Sequence, residues 1–269
     1  MTAGELDPVG PEILDGHLYD YPAYYDLIFG SDCAAETAFF EDCFRQMAQR
    51  PVERIFEPAC GTGRLLYRLA RRGYSVAGND LNPHAVAYCN ARFERAGWDP
   101  PAVLGDMSDF RLRRKADAAF NTINSFRHIL DHQQAISHLQ AIARSLAAGG
   151  VYVLGLHLSP TKRAPVDNES WSAQRGHLAV RTSIRLARRD LPGRREDYRM
   201  TYDIWTPTAH RQVHDEFSFR TYTVDQFLEL VEEAGSLQIE ASYDFQYDPD
   251  RPVELDGQCE DVVFILARS

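Results

Sequence analysis

The sequence predicts an α/β protein: a doubly wound, Rossmann-like, mostly parallel sheet of seven strands, with an antiparallel cover inserted after the fifth strand. Between residues 53 and 158, short apolar strands alternate with amphipathic helices, and right-handed crossovers return each strand to the same sheet direction. Between residues 178 and 222, three strand-like stretches are separated only by turns, which indicates antiparallel strands. A last helix and two strands then complete the sheet.

The core elements follow from their periodicity and their capping residues. Asn82 caps a helix that has Pro83 in its first turn, and Gly73 and Gly235 are typical helix stops. The predicted core strands are residues 53–56, 75–78, 102–104, 116–121, 151–156, 237–243 and 262–267. The predicted helices are residues 37–50, 64–72, 83–96, 133–146 and 224–234, and the cover strands are residues 178–187, 197–205 and 212–222.

These elements divide the chain into four segments. Residues 1–16 are rich in glycine, proline and acidic side chains, and we expect a flexible arm that orders only when something docks on it. Residues 17–158 form the core with an N-terminal aromatic segment, and residues 159–222 form the antiparallel β cover. Residues 223–269 complete the core sheet.

Composition and charge exclude several classes of protein. The formal net charge of the 269 residues is -10, which disfavours a nucleic-acid partner because a phosphate backbone is repelled on average. The five cysteines include no C-x-x-C pair, which argues against a disulfide framework or a zinc site and favours a reducing compartment. A basic, apolar leader and a membrane-spanning run are not found, so we expect a cytoplasmic protein without a membrane partner.

The most informative stretch is EPACGTGRLL at residues 57–66. Its glycines allow close approach of the backbone to a ligand where a strand turns into a helix. The dinucleotide fingerprint needs a third glycine, whereas Gly61 and Gly63 are followed by Leu65 and Leu66. This difference counts against a nicotinamide dehydrogenase.

Three acidic residues follow three successive predicted strands, at the sheet edge where open α/β sheets bind ligands. Glu57 precedes the glycine turn, where a carboxylate repels a pyrophosphate but holds an ammonium. Asp80 can accept both hydroxyls of a ribose, and Asp106 can accept from an adenine amine. Together the three describe a ligand with an ammonium, a ribose and an adenine, and no phosphate.

Four stretches, taken in order, resemble the motifs of class I S-adenosylmethionine-dependent methyltransferases: residues 57–63, Asp80, residues 105–107 and residues 146–150. The resemblance covers roughly residues 17–158 and implies an enzyme with S-adenosylmethionine as its cofactor. The core residues that it places around the cofactor are Glu57, Ala59, Gly61, Gly63, Asp80, Leu81, Asp106, Met107 and Asn121.

Within that class, residues 25–30, residues 105–110 and the antiparallel cover look like those of small-molecule N-methyltransferases of the sugar-amine or glycine type. In such enzymes an N-terminal aromatic segment lies over the cofactor. The resemblance therefore implies that Tyr19 and Tyr25 contact the cofactor and that Tyr24 contacts a small-molecule acceptor.

An amine acceptor must lose a proton to attack a methyl donor, and histidine titrates in the right range for a base. His128, just beyond the fourth predicted strand, is the first candidate, and His157, at the end of the fifth, is the second. Arg127 and Trp171 are predicted acceptor contacts. Each of the four has an ordinary alternative as a core, capping or surface residue, and no ligand spacing implies a metal.

Three other functions remain alternatives at the level of the sequence. A sensor or partner subunit can keep the fold and bind the cofactor without catalysis. A methyltransferase of RNA or protein is disfavoured by the acidic balance and by Asn121-Thr122-Ile123-Asn124, which differs from an N-P-P-Y-type motif. A nicotinamide dehydrogenase is the third. The sequence identifies neither the acceptor nor the oligomeric state.

Overall fold

The computed structural model describes residues 10–30 and 33–268. The strands are β1 (Glu12–Leu14), β2 (Arg54–Pro58), β3 (Ser75–Asp80), β4 (Ala102–Leu104), β5 (Ala116–Asn121), β6 (Leu146–His157), β7 (Asn168–Arg175), β8 (Leu178–Asp190), β9 (Arg195–Thr206), β10 (Ala209–Arg220), β11 (Leu237–Tyr243) and β12 (Asp261–Arg268). The α-helices are α1 (Pro22–Phe29), α2 (Ala34–Met47), α3 (Arg64–Ala70), α4 (Pro83–Arg95), α5 (His132–Ser145) and α6 (Val224–Ala234).

Seven strands form the core sheet in the order β11-β12-β6-β5-β2-β3-β4. Strands β2 to β6 are parallel, whereas β12 is antiparallel to both of its neighbours. Side chains of α5 and α6 pack on one face, and those of α2, α3 and α4 pack on the other. Both faces of β6 are therefore buried, which explains its apolar run. The predicted fold class is confirmed.

Five strands form the cover sheet in the order β1-β10-β9-β8-β7. On its inner face Val180 lies opposite Ile204 and Tyr202 lies opposite Val213, and these side chains pack against Leu27 and Ile28 of α1. The outer face carries polar pairs, because side chains alternate across a strand. The aromatic N-terminal segment is thereby fixed between the cover and the core.

One part of the predicted arm is ordered, so that prediction is wrong for residues 12–14. They form β1, which pairs in parallel with β10 so that Glu12 lies opposite Arg211. The Glu12 carboxylate accepts from Arg211 Nε at 2.8 Å. Residues 1–9 of the arm lie outside the described residues.

Strand β7 was not predicted, because its sequence has no apolar alternation. Asn168–Arg175 reads NESWSAQR, and only Trp171 and Ala173 among its residues are partly buried. Strand β7 is held in place by its antiparallel hydrogen bonds to β8 and not by burial of its own side chains. All of the predicted strands are present, and β4, β5 and β11 have the predicted ends. The largest difference is at β6, which begins at Leu146.

None of the six described α-helices combines the length and the apolar character that a membrane span requires.

Asp117 on β5 holds the beginning of β2 in place. This buried carboxylate accepts from the backbone N–H groups of Glu53 and Arg54 at 3.1 and 2.9 Å. It also pairs with the guanidinium groups of Arg50 and Arg54 at 3.0 and 3.1 Å. The hydrogen bonds and ion pairs of this one carboxylate therefore hold the beginning of β2 against β5.

We expect Asp117→Ala to lower the free energy of unfolding by about 3 kcal/mol, since removal of one partner leaves buried donors unpaired. Urea unfolding monitored by circular dichroism measures the change. Asp99→Ala, at an exposed aspartate, is the control and should leave the unfolding midpoint unchanged. Equal midpoints for the two variants would contradict the role of Asp117.

Candidate active site

The glycine turn after β2 adopts a left-handed backbone conformation. Ala59, Gly61 and Gly63 have φ angles of 52°, 53° and 66°. A Cβ atom on Gly63 would lie 2.3 Å from the Sγ atom of Cys89, so this position excludes every larger residue. A Cβ atom on Gly61 would contact nothing within 4 Å. Glycine is therefore favoured at this position by its left-handed φ angle and not by lack of space. The turn therefore presents bare backbone beside the beginning of α3.

Asp80, at the end of β3, fastens this turn. Its Oδ2 atom accepts from the backbone N–H of Gly61 at 2.8 Å, and its Oδ1 atom accepts from that of Asn82 at 2.8 Å. Burial raises the pKa of Asp80. Each oxygen keeps a further lone pair for a ligand hydroxyl. The sequence predicted only the ligand contact and missed the structural role.

Glu57, the next-to-last residue of β2, has a buried carboxylate with a free acceptor. Its residue exposure is 6%, and its Oε2 atom has no hydrogen-bond partner within the described residues. Burial raises the pKa of Glu57 well above its usual value, and the guanidinium of Arg64 opposes this effect. Asn121 also has a buried carbonyl oxygen without a partner in the described part of the chain. Two unpaired acceptors fit an ammonium group.

Asp106 lies in the loop after β4 and is exposed. Its Oδ1 atom accepts from the backbone N–H and the Oγ–H of Ser108 at 2.7 and 2.8 Å. The loop is tied to β3, because Asn79 Nδ2 donates to the Asp106 carbonyl and Gly105 N–H donates to the Asp80 carbonyl, each at 3.0 Å. The strand ends that carry Glu57 and Asp80 and the loop that carries Asp106 thus lie at one edge of the sheet.

The remaining predicted cofactor residues in the core differ in exposure. Met107 is buried, and its carbonyl accepts from His138 Nδ1 at 2.8 Å. Leu81 is exposed beside Asp80, where an apolar side chain can cover one face of a base. Asn121 also donates through Nδ2 to the Pro58 carbonyl at 2.7 Å, which joins the ends of β5 and β2.

The aromatic N-terminal segment closes over this edge. Asp20 of this segment accepts a hydrogen bond from Asn82 Nδ2 at 2.8 Å, and Asn82 lies two residues after Asp80. The rings of Tyr19 and Tyr25 are 5.8 Å apart. Burial raises the pKa of Tyr25 to about 12, and the carboxylates of Asp80 and Glu57 add to the shift. Both tyrosines therefore lie beside the acidic edge.

A cleft of about 450 Å³ separates the core from the inner face of the cover. Its walls include the aromatic side chains of Tyr19, Tyr25, Phe29, Trp171, Tyr198, Tyr202, Phe217, Phe219, Phe245 and Tyr247. Arg64, the first residue after the glycine turn, lines the cleft, whereas the three acids of the edge do not. The cleft is therefore a second compartment beside the acidic edge.

The two candidate histidines occupy different positions relative to the cleft. His128 lies behind Tyr19, with its Nε2 atom 2.9 Å from the Tyr19 hydroxyl, and it is not part of the cleft lining. Burial lowers the pKa of His128 to about 4, and the nearby charge of Arg127 adds to the shift. His157 lines the cleft. Its Nδ1 atom is hydrogen-bonded to Asp261, which lies directly opposite it on β12.

The three residues predicted to contact an acceptor also differ. Trp171 lines the cleft edge-on to Phe29, with ring centroids 5.5 Å apart. Arg127 lines it too, but its Nη2 atom is 2.6 Å from Glu196 and its Nε–H donates to the Arg220 carbonyl, so its charge is internally paired.

Tyr24 stacks on Tyr21 and lies outside the cleft lining, so its contact with the acceptor stays a prediction. The segment is helical here, so the side chains of Tyr24 and Tyr25 point in directions about 100° apart and only one can face the cleft.

A buried ion pair in the cleft wall was missed by sequence reasoning. The guanidinium of Arg64 donates to Glu36 through Nη1 and Nη2 at 2.6 and 3.0 Å. Thr122 and Tyr247 also donate to Glu36, at 2.9 and 3.3 Å. Glu36 lies in the first turn of α2, where an acid is ordinarily a helix-terminal residue, so nothing local marks it as part of a site.

Comparison with known proteins supports this arrangement. Residues 55–150 match the model of a methyltransferase domain. A sugar N,N-dimethyltransferase of Streptomyces venezuelae, which acts on dTDP-3-amino-3,4,6-trideoxy-α-D-glucopyranose, is 29% identical over 140 residues, which are 50% of this chain and 56% of that protein. A Streptomyces fradiae N,N-dimethyltransferase of a dTDP-3-amino-3,6-dideoxy sugar is 30% identical over 48% of this chain and 50% of its own length.

Solved structures share the whole fold. Streptomyces venezuelae DesVI has a TM-score of 0.77 at 20% identity, over 95% of this chain and all of its own. The sugar N-methyltransferase KedS8 from a Streptoalloteichus species has a TM-score of 0.71 at 23% identity, over 100% of this chain and 98% of its own. Residues 55–150 of this chain are a methyltransferase domain, and the chain as a whole has the fold of S-adenosylmethionine-dependent methyltransferases. The predicted resemblance to these methyltransferases is confirmed, although the chain spans only about half the length of the curated sugar dimethyltransferases that it matches.

We expect Asp80→Ala in this methyltransferase to weaken S-adenosylmethionine binding by about 100-fold, since two charge-assisted hydrogen bonds to a ribose are lost. Calorimetric titration measures the affinity, and circular dichroism checks that the variant is folded. Asp109→Ala changes an exposed acid in the neighbouring loop and should bind normally. Unchanged affinity in Asp80→Ala would refute the ribose contact.

Cofactor binding should also depend on pH through Glu57. The pKa of its carboxyl is raised in the protein alone, and a bound ammonium favours the ionised form, so binding should release a proton. Affinity should rise with pH by up to about tenfold per unit until the pH passes the raised pKa. Titrations at pH 6.5 in two buffers with different ionisation heats should give different binding heats, and Glu57→Gln should abolish the difference. Equal heats for the parent protein would contradict the ammonium contact.

Proposed function

We propose that this methyltransferase transfers the methyl group of S-adenosylmethionine to the amine of a small metabolite, and that this amine belongs to an amino sugar. The observation that carries the proposal is the cleft between the acidic edge and the cover. Its volume of about 450 Å³ lies within the roughly 300–1,000 Å³ of small-molecule sites. An RNA or a folded protein would need a long open groove, whereas this cleft has the aromatic segment and the cover sheet as walls.

The activities for which the relatives are named support the choice of an amine. Both Streptomyces proteins are named as N,N-dimethyltransferases of amino sugars. The aromatic walls also suit such an acceptor, because ring faces pack on the apolar faces of a sugar and attract an ammonium.

When bound, the cofactor supplies a methyl group on a sulfonium that is already activated for attack. The chain has to hold the nucleophile in line, exclude water and take up a proton. Tyr19 and Tyr25 lie between the acidic edge and the cleft, where they limit the entry of water. The edge residues Glu57, Asp80 and Asp106 are the proposed cofactor contacts.

His157 is the proposed proton acceptor for the amine. Asp261 is bonded to its Nδ1 atom, which keeps the proton there and leaves Nε2 as the acceptor in the neutral ring. The backbone N–H of His157 donates to Asn124 Oδ1 at 2.7 Å, which fixes the end of β6. Because the Asp261 side chain is half exposed, the proton can pass from the pair to water.

His128 is assigned a positioning role. With a pKa of about 4 it stays neutral at neutral pH and is a weak proton acceptor. Its Nε2 atom can accept a hydrogen bond from the Tyr19 hydroxyl, whose ring lines the cleft. His128→Ala should therefore change the orientation of Tyr19 and leave cofactor affinity nearly intact.

Turnover of the His157 variants tests the mechanism, with 3-amino-3-deoxyglucose as acceptor and S-adenosylhomocysteine formation as the readout. We expect His157→Asn to lower kcat by about 100-fold and Asp261→Asn by about tenfold, with unchanged cofactor affinity. The loss in kcat should shrink as pH rises, because the free amine then forms without a base.

His210→Asn is the matched control, since His210 pairs with Asp203 at 3.3 Å on the outer face of the cover. It should keep full activity. Normal turnover in His157→Asn would remove His157 from the mechanism, and cofactor binding without methylation of any amine would overturn the proposed function.

A further inference from the structure

The cleft contains three guanidinium groups, and each is neutralised by a buried carboxylate. Arg64 is paired with Glu36, with Nη1 2.6 Å from Oε2. Arg127 and Arg189 share Glu196, at 2.6 and 2.7 Å from its two oxygens. Tyr198 also donates to that carboxylate, at 3.1 Å. Among the described residues that line the cleft, no arginine or lysine is left without an acidic partner.

Carboxylates outnumber guanidinium groups in the same lining. The six acids are Glu36, Asp167, Glu169, Glu196, Glu260 and Asp261. Glu169 is exposed on β7 at the side of the cleft and has neither an ion pair nor a hydrogen bond within the described residues. Arg163, outside the lining, pairs with Glu260 at 2.5 Å, so the cleft keeps an excess of two formal negative charges over the arginines that neutralise its acids. This excess attracts cations and repels phosphate.

The aromatic walls of the cleft also favour a cationic ligand, through cation–π attraction. Ten aromatic rings line the described cleft, and the face of an aromatic ring attracts an ammonium but not a phosphate. A diphosphate in this space would have to break a buried ion pair to find a guanidinium. Nothing in the paired arrangement of Arg64, Arg127 and Arg189 provides an anion site.

We propose that the cleft selects an acceptor that is an organic cation without phosphate, and that Glu169 determines this selectivity. The proposal rests on the proposed function and narrows its substrate class. It separates this chain from the two Streptomyces relatives, whose named substrates carry a dTDP group. An amino sugar that is free, or linked to an uncharged molecule, has the required chemistry.

The test compares 3-amino-3-deoxyglucose with the same sugar linked to thymidine diphosphate. For the parent protein we expect kcat/KM to be at least about tenfold higher for the free sugar, and no competition by thymidine diphosphate alone. Salt should reduce this preference, since the attraction is partly screened. A higher kcat/KM for the nucleotide-linked sugar would overturn the proposal.

Glu169→Lys assigns the effect to one residue. We expect it to lower kcat/KM for the free sugar by about tenfold and to raise it for the nucleotide-linked sugar. Glu216→Lys is the control, because Glu216 lies on the outer face of the cover with a 72% exposed side chain and makes the same change in net charge. Equal effects of the two variants would show that Glu169 has no special role.

Binding separates this proposal from the function on which it rests. If neither sugar is methylated while the cofactor binds, the proposed function fails, and calorimetric titration of both sugars still measures the charge selectivity. Tighter binding of the free sugar would support the selectivity of the cleft, and tighter binding of the nucleotide-linked sugar would refute it.

Discussion

The structure depends on the hydrogen bond that links the Asp80 carboxylate to the backbone of Gly61. It fixes a left-handed turn at the end of the central strand β2 and holds it against the neighbouring strand β3. Backbone hydrogen bonds from Cys60 N–H to the Asn79 carbonyl and from Gly63 N–H to the Cys60 carbonyl, each at 2.9 Å, complete the turn, and the Thr62 hydroxyl donates to Asp26 at 3.3 Å. The free acceptors of Glu57 and Asn121 lie beside this turn because their strands end there.

The second compartment follows from how the cover sheet is attached. The aromatic segment bonds to Asn82 at the edge and, through Leu18 N–H, to Asp215 of β10 at 3.0 Å, so one short segment touches both sheets. The cleft between them is lined by rings and by internally paired charges. The proposed cofactor contacts and the proposed acceptor site are therefore formed by different residues.

Much of the core could be predicted from the sequence, because its strands and caps carry local signals. Asn82 is followed by Pro83, and Gly235 closes α6, each as its pattern indicates. The three edge acids follow strands and are found together. Strand β7 and the Glu36–Arg64 pair could not be predicted, since both depend on partners far away in the chain. The direction of Tyr24 and the position of His128 behind Tyr19 likewise depend on how the segment packs.

The most direct test of the account is a crystal structure of the protein with S-adenosylhomocysteine. The account predicts its ammonium at Glu57, its ribose hydroxyls at Asp80 and its adenine amine at Asp106, with its sulfur facing the aromatic cleft. A ligand bound elsewhere, or an edge on which the three carboxylates contact no part of it, would contradict the account.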